Sequence, residues 1–160
     1  VLHSFTGPPD GAEPRAALVR DPSGNLYGTT YSGGTLHQGT IFKVLNRTIT
    51  VLYSFAGSPD GSHPFAGFVL DSTGNLYGTT YAGGSGSCNR AGVTGCGTVF
   101  KLDKSGTLNV LHNFAGVLHG NSDGAYPRAS LIMDSAGNLY GTTSEGGLSN
   151  NGTVFELTLP

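Results

Sequence analysis

The string GNLYGTT stands at residues 24–30, 74–80 and 137–143, each copy opening three residues after an aspartate: Asp21, Asp71 or Asp134. A string of this length, repeated at intervals, is the signature of a chain built from like supersecondary units that stack on one another. Two further landmarks keep the same order. VLHSF, VLYSF and VLHNF begin at Val1, Val51 and Val110; GTIFKV, GTVFKL and GTVFEL begin at Gly39, Gly97 and Gly152. Repeats therefore run over approximately 1–50, 51–109 and 110–160 of one domain spanning 1–160.

The spacings show where insertion is tolerated. From valine to aspartate the distances are 20, 20 and 24 residues, and from Gly24, Gly74 and Gly137 to the third landmark they are 15, 23 and 15. The extra lengths fall in Gly-, Ser- and Asn-rich stretches, as surface loops between fixed elements do. TITVLYSF, PFAGFVLD, NLYGTTY and GTIFKVL read as strands, being rich in β-branched and aromatic residues and bounded by turn chemistry. No segment carries a sustained helical period. The expected fold is all-β, with about four antiparallel strands in each of three tandem repeats.

Face parity separates two architectures with that count. In GTIFKVL, Phe42 and Val44 point one way and Ile41 and Leu45 the other, so the strand is covered on both faces. Sheets stacked between like sheets, as propeller blades are, supply that environment. The β-trefoil, also three repeats of four strands, is the alternative.

Composition removes several functions. Charged residues make up 11% of the chain, against about 25% in typical soluble domains, and the net charge is -2 with no run of like charge. A nucleic-acid partner or a polybasic membrane segment is not expected. No apolar run reaches the roughly 18 residues of a membrane span, so no membrane insertion within this segment is expected. VLHSF does not read as a signal peptide. The 7 Tyr and 8 Phe recur at fixed positions, which argues for order rather than disorder. Cys88 and Cys96 sit in the insertion that only the second repeat carries; a disulfide stapling that loop is the favoured reading over free thiols, and it implies an oxidising, extracytoplasmic setting.

The pattern D-x-x-GNLYGTT…GG…GTxF resembles the GloVer tandem repeats of secreted, surface-anchored bacterial proteins, over essentially the whole chain. The resemblance implies an extracellular or cell-surface, propeller-like repeat protein and supplies no catalytic residues.

Candidate chemistry is sparse. Tyr27, Tyr77 and Tyr140, each followed by two threonines, read as packed strand positions whose hydroxyls bond to neighbouring blades. Tyr31 and Tyr81 are expected to be exposed and are the candidate ligand contacts should the chain bind glycans. Asp10, Asp60 and Asp123 share one slot and Asp21, Asp71 and Asp134 another. Each loop offers one carboxylate where calcium takes several, so both slots read as turn caps. With Gly24, Asn25, Gly74, Asn75, Gly137 and Asn138, the second slot forms the repeated turn. The slot of Glu13, His63 and Tyr126 varies freely and reads as solvated loop. No nucleophile, metal-ligand or phosphate-loop motif occurs, so no enzyme, catalytic residue, metal or cofactor is expected. Asn46 and Asn151 head N-x-T triplets and are candidate glycosylation sites.

Grouped as NLYGTTY, GTIFKVL, TITVLYSF and AGFVLD, the strands of a blade leave the chain opening on the last two and closing on the first two. Complementary half-blades are templates for head-to-tail pairing with copies of the same chain, giving a ring or a fibre. A monomeric carbohydrate-binding module is the alternative function.

Overall fold

The computed structural model describes residues 1–90, 92–116 and 123–159, and these contain strands and turns with no helix. The first sheet is β1 (Val19–Arg20), β2 (Leu26–Thr30), β3 (Thr40–Leu45) and β4 (Thr48–Ser54), antiparallel and in chain order. The second repeats it with β5 (Val69–Leu70), β6 (Leu76–Thr80), then, after the small hairpin β7 (Asn89–Arg90) and β8 (Val93–Thr94), β9 (Thr98–Leu102) and β10 (Leu108–Asn113). In the third, β11 (Ala125–Pro127) and β12 (Ile132–Met133) pair with opposite ends of β13 (Leu139–Glu145), which pairs with β14 (Thr153–Leu157). The extra residues of the third repeat fall largely at 117–122, outside the described residues.

The arrangement is propeller-like, and the trefoil is set aside. Its grouping of strands corrects the half-blade expectation. The two-residue strand before each D-x-x-G-N turn belongs with the strands after it: β1 pairs β2, and β5 pairs β6. The first two blades take their outer strand from the opening landmark of the next repeat. The N-terminal surplus is thus one strand's length, Val1–Phe5, and the third blade lacks one strand rather than two.

The apolar core lies between sheets. Ile41 and Phe55 of the first blade pack with Phe68, Leu76, Phe100 and Leu102 of the second; Val99 and Phe114 of the second pack with Leu131 and Leu139 of the third. One phenylalanine contact occurs three times, the last two across the junctions between blades: Phe5 on Phe42, Phe55 on Phe100 and Phe114 on Phe155, with ring centroids 5.1, 5.3 and 5.1 Å apart. This edge-to-face geometry suits aromatic quadrupoles. It also explains the glycine of GNLYGTT. A Cβ at Gly28, Gly78 or Gly141 would lie 2.6, 2.9 or 2.5 Å from the ring of Phe42, Phe100 or Phe155. Near the inner strands, the Gly67 N–H donates to Ser130 Oγ at 3.1 Å, and Thr29 Oγ1 donates to the Ala66 carbonyl at 3.3 Å, tying successive blades together.

Candidate functional site

The aspartate, asparagine and tyrosine side chains of the repeated turn form one hydrogen-bonded network in each blade. The Asp71 carboxylate accepts from the Asn75 N–H at 2.8 Å, from Asn75 Nδ2 at 2.7 Å and from the Tyr77 hydroxyl at 3.2 Å. The Gly74 N–H closes the turn on the Asp71 carbonyl at 3.0 Å. Asp21 with Asn25 and Tyr27, and Asp134 with Asn138 and Tyr140, repeat it; Gly24 and Gly137 close the same turn. The tyrosine hydroxyls therefore bond within their own blade, not across to the next as expected. A phenol six residues on from the aspartate lies beside it once the turn folds the strand back.

These bonds set the acid chemistry of the turn. Burial pushes the Asp71 carboxyl up, but the Asn75, Thr73 and Tyr77 hydrogen bonds outweigh it and hold the group at about 2. Asp21 and Asp134 are lowered in the same direction, led by the side chains of Asn25 and Asn138. A carboxyl depressed in the folded state stabilises it above the unfolded pKa, and that stability is lost as pH falls towards the folded value. For half-buried Asp71, discounted for solvent screening, this is about 1 kcal/mol. The expected result is that the stability gap between the wild type and Asp71→Asn narrows by about that amount between about pH 5 and pH 2. Urea titrations at several pH values check it, and a gap independent of pH would refute it.

The other aspartate slot caps a second turn. Asp10, Asp60 and Asp123 accept from the backbone N–H of Thr6, Ala56 and Ala115 at 3.2, 3.2 and 2.9 Å. Each also bonds the side chain in the slot of the opening landmark: His3 at 2.8 Å, the Tyr53 hydroxyl at 2.7 Å and His112 at 2.8 Å. Burial first, then the Asp60 carboxylate, push the Tyr53 phenol up to about 12. Beneath each turn lies a threonine pair, Thr30–Thr40, Thr80–Thr98 and Thr143–Thr153, with oxygens 2.8, 2.9 and 2.8 Å apart. The second threonine of each pair donates to the carbonyl of the aspartate above it. GNLYGTT is thereby accounted for: turn, core leucine, turn-bonded tyrosine, phenylalanine seat and threonine pair.

A ribbon of aromatic and guanidinium groups crosses the three blades, and sequence reasoning missed it. Arg15 lies 3.9 Å over the Tyr31 ring; Tyr31 meets His63 at 4.7 Å and Phe65 at 5.9 Å; Arg128 lies 5.0 Å over Tyr81; and Tyr81 meets Tyr126 at 5.0 Å. Arg90, from the hairpin of the second repeat, lies 5.7 Å over Tyr126 and pairs with Glu145 of the third blade. Two expectations are corrected here. Tyr81 is only 8% exposed, because Arg128 and Tyr126 cover it, and Tyr31 is half-buried. The slot of Glu13, His63 and Tyr126 is not uniformly solvated: Glu13 is exposed, but Tyr126 is buried and His63 half-buried, its pKa lowered by burial and then by Arg15. All three residues have positive φ, from 55 to 58°. The signal available in sequence was the slot six residues before the turn aspartate, held by Arg15, Phe65 and Arg128.

Cys88 and Cys96 form a disulfide that closes the β7–β8 hairpin, with Cys96 buried against the core of the second and third blades. Asn46 sits exposed in the β3–β4 turn, and Asn151 is exposed just before β14. Among the described residues, no three of His, Cys, Asp and Glu converge as a metal site would require.

The remaining features are the two end faces. Val154 is 83% exposed, whereas Ile41 and Val99 in the same slot of the first two blades are 0% exposed. At the opposite face Leu18 is 51% exposed, while its equivalents Phe68 and Leu131 are 8% and 3% exposed.

Comparison with known proteins agrees with this architecture. A solved structure provisionally described as a gluconolactonase, propeller-like in fold, superposes with a TM-score of 0.55 at 16% identity, over 89% of this chain and 44% of that one. The chain thus spans less than half of that protein. No curated protein matches it. The model of the Gloeobacter/Verrucomicrobia repeat matches residues 1–160 in full. With that motif written three times and each copy folded into one blade, the chain belongs to the Gloeobacter/Verrucomicrobia repeat family.

Proposed function

We propose that this chain is a non-enzymatic structural repeat protein of the cell exterior, whose blades associate head to tail with copies of itself into a ring or fibre. The carrying observation is Val154, 83% exposed where Ile41 and Val99 are sealed by the next blade. A stacking surface is presented at one end, and a matching one, around Leu18, at the other. The unlike ends make the contact heterologous, which propagates or closes. The disulfide and the bacterial repeat family support an extracytoplasmic setting. A non-catalytic role is supported by the turn carboxylates, which are spent on capping.

A monomeric carbohydrate-binding module is less well supported, since sugar stacking needs a free aromatic face. Arg15 lies over the Tyr31 ring, which also meets His63, and Arg128 lies over the Tyr81 ring, which also meets Tyr126.

The test is light scattering on the wild type and on Val154→Lys, which places a charge in the contact at a side chain that is 83% exposed in the isolated chain. The wild type is expected to assemble with rising concentration, and the variant to need at least about tenfold more protein, because burying an unpaired charge is costly. A wild type of 16.4 kDa at every concentration would overturn the reading.

A further inference from the structure

The geometry points to a binding site for a carboxylate-bearing polysaccharide on the aromatic ribbon, centred on the guanidinium of Arg128 with that of Arg15 beside it. This does not rest on the head-to-tail reading: every group belongs to one chain, and both junctions it spans lie inside that chain.

Two cations are brought to one ring. Arg15, Phe65 and Arg128 precede β1, β5 and β12 in the same slot of the three repeats. The Arg15 guanidinium lies 5.1 Å from the centre of the Phe65 ring and that of Arg128 5.8 Å from it. Each also lies over a tyrosine, Arg15 at 3.9 Å from Tyr31 and Arg128 at 5.0 Å from Tyr81. Among the described residues no other cation lies over two rings. The two guanidinium carbons are therefore no more than about 11 Å apart, near the screening length at physiological salt, so their fields overlap. Like charges held this close repel, and an anion seated with them removes that cost. His63, packed on Tyr31, adds no charge at neutral pH, because burial and then Arg15 lower its pKa.

Only one of the two cations is neutralised. All 10 aspartates and glutamates of the chain lie within the described residues. The aspartates cap turns. Glu13 pairs with Arg15, Glu145 pairs with Arg90, and Glu156 accepts from the Tyr140 hydroxyl. No side-chain carboxylate is left for Arg128, whose one polar contact among the described residues is the Tyr81 hydroxyl, 3.5 Å from Nη2. The side chain is exposed. A guanidinium stacked on rings still presents its N–H fork, which meets a carboxylate through two parallel hydrogen bonds.

The ligand class follows from charge and surroundings. One uncompensated positive charge suits a monoanion, and a carboxylate is the planar monoanion this fork fits. Nucleic acid, whose binding neutralises many phosphates, does not match it. The Tyr81 hydroxyl beside Arg128 suits a ligand rich in hydroxyls. So does exposed Ser130, two residues along, whose oxygen accepts from the Gly67 N–H and leaves its own proton to donate. With guanidinium groups over Tyr31 and Tyr81, a sugar is held here by its carboxylate rather than by stacking. The row of Arg15, Arg128 and Arg90 along the ribbon suits an extended chain of such sugars, the outer two being reached in competition with Glu13 and Glu145.

The experiment titrates the full chain with tri-galacturonate by calorimetry, with maltotriose, inorganic phosphate and a short poly-glutamate as comparisons. Expected is a dissociation constant on the order of 1 mM that rises with added salt, and no binding of maltotriose. Arg128→Gln is expected to weaken binding at least about tenfold, and Arg128→Lys about threefold, since a point charge keeps the attraction without the fork. Glu13→Gln, which frees Arg15, is expected to tighten it about threefold. Arg47→Gln, exposed in the β3–β4 turn, is expected to change nothing. Equal affinity in Arg128→Gln and the wild type would overturn the inference, as would maltotriose binding as tightly as the uronate, or no binding at millimolar ligand. Poly-glutamate or phosphate binding as tightly would overturn the polysaccharide assignment, giving the site to acidic peptides or to phosphate. None of these outcomes bears on light scattering, so head-to-tail assembly stands or falls separately.

Discussion

Replacing Phe100 with alanine is expected to remove about 3–5 kcal/mol of folding stability, the largest loss from any single core truncation in this chain. Phe100 is fully buried on an inner strand of the middle blade. Its ring stacks against Phe55 of the preceding blade at 5.3 Å and Phe68 at 6.2 Å. The floor of its site is Gly78, where a methyl group would already be too close to the ring. Truncation leaves a cavity that two stiff sheets cannot collapse into. Phe155, in the same slot of the third blade, is only half-buried, and Phe155→Ala is expected to cost about half as much at protein concentrations where chains are separate. Chemical denaturation of both variants gives the comparison. Equal losses would mean that the junction between the first two blades is not where the core energy lies.

The second large effect is expected at Gly61. Its φ is +115°, a conformation L side chains rarely adopt, and a Cβ there would fall 2.3 Å from Thr80 Oγ1 and 2.8 Å from Thr98 Oγ1. Those hydroxyls cannot step aside. Thr80 Oγ1 donates to the Ala82 carbonyl and accepts the Thr98 N–H, while Thr98 Oγ1 donates to the Asp60 carbonyl. Gly61→Ala is therefore expected to combine backbone strain with overpacking, for a loss of about 3 kcal/mol or more. Gly106→Ala separates the two contributions, since Gly106 also has positive φ, +87°, but nothing lies within 4 Å of its added Cβ. That control is expected to lose about 1 kcal/mol. If the two variants lose the same amount, the threonine pair is softer than its hydrogen bonds imply.

Much of this was legible in the chain itself, for identifiable reasons. Ile41 beside Phe42 on a short strand means apolar contact on both faces, and stacked sheets are the arrangement that provides it. Insertions at 85–96 and before Asp123 mark loops, and the paired cysteines sit in the first of them. The grouping of strands into sheets was not legible. VLYSF and AGFVLD lie close together in sequence and look like neighbours, yet the segment between Phe55 and Phe68 carries the chain from the outer edge of one blade to the inner edge of the next. Proximity along the chain misleads wherever a short linker crosses a junction. The ribbon of Arg15, Tyr31, His63, Phe65, Arg128 and Tyr81 escaped notice for a related reason. Two of its slots change identity from repeat to repeat, one held by Arg15, Phe65 and Arg128 and the other by Glu13, His63 and Tyr126, and the Arg128 of the third blade answers the Tyr81 ring of the second. Reading a slot down the repeats shows only variation; the complementarity is between slots.

Because sequence unit and blade are out of phase by one strand, a stretch of chain cut at the start of two opening landmarks carries one vacancy and one filler. Duplicating or deleting such a stretch changes the number of blades without inventing a new kind of seam. Blade number is thus the property a gene of this design can vary most freely, and geometry then sorts the products into those that meet their own starting point and those that spiral past it.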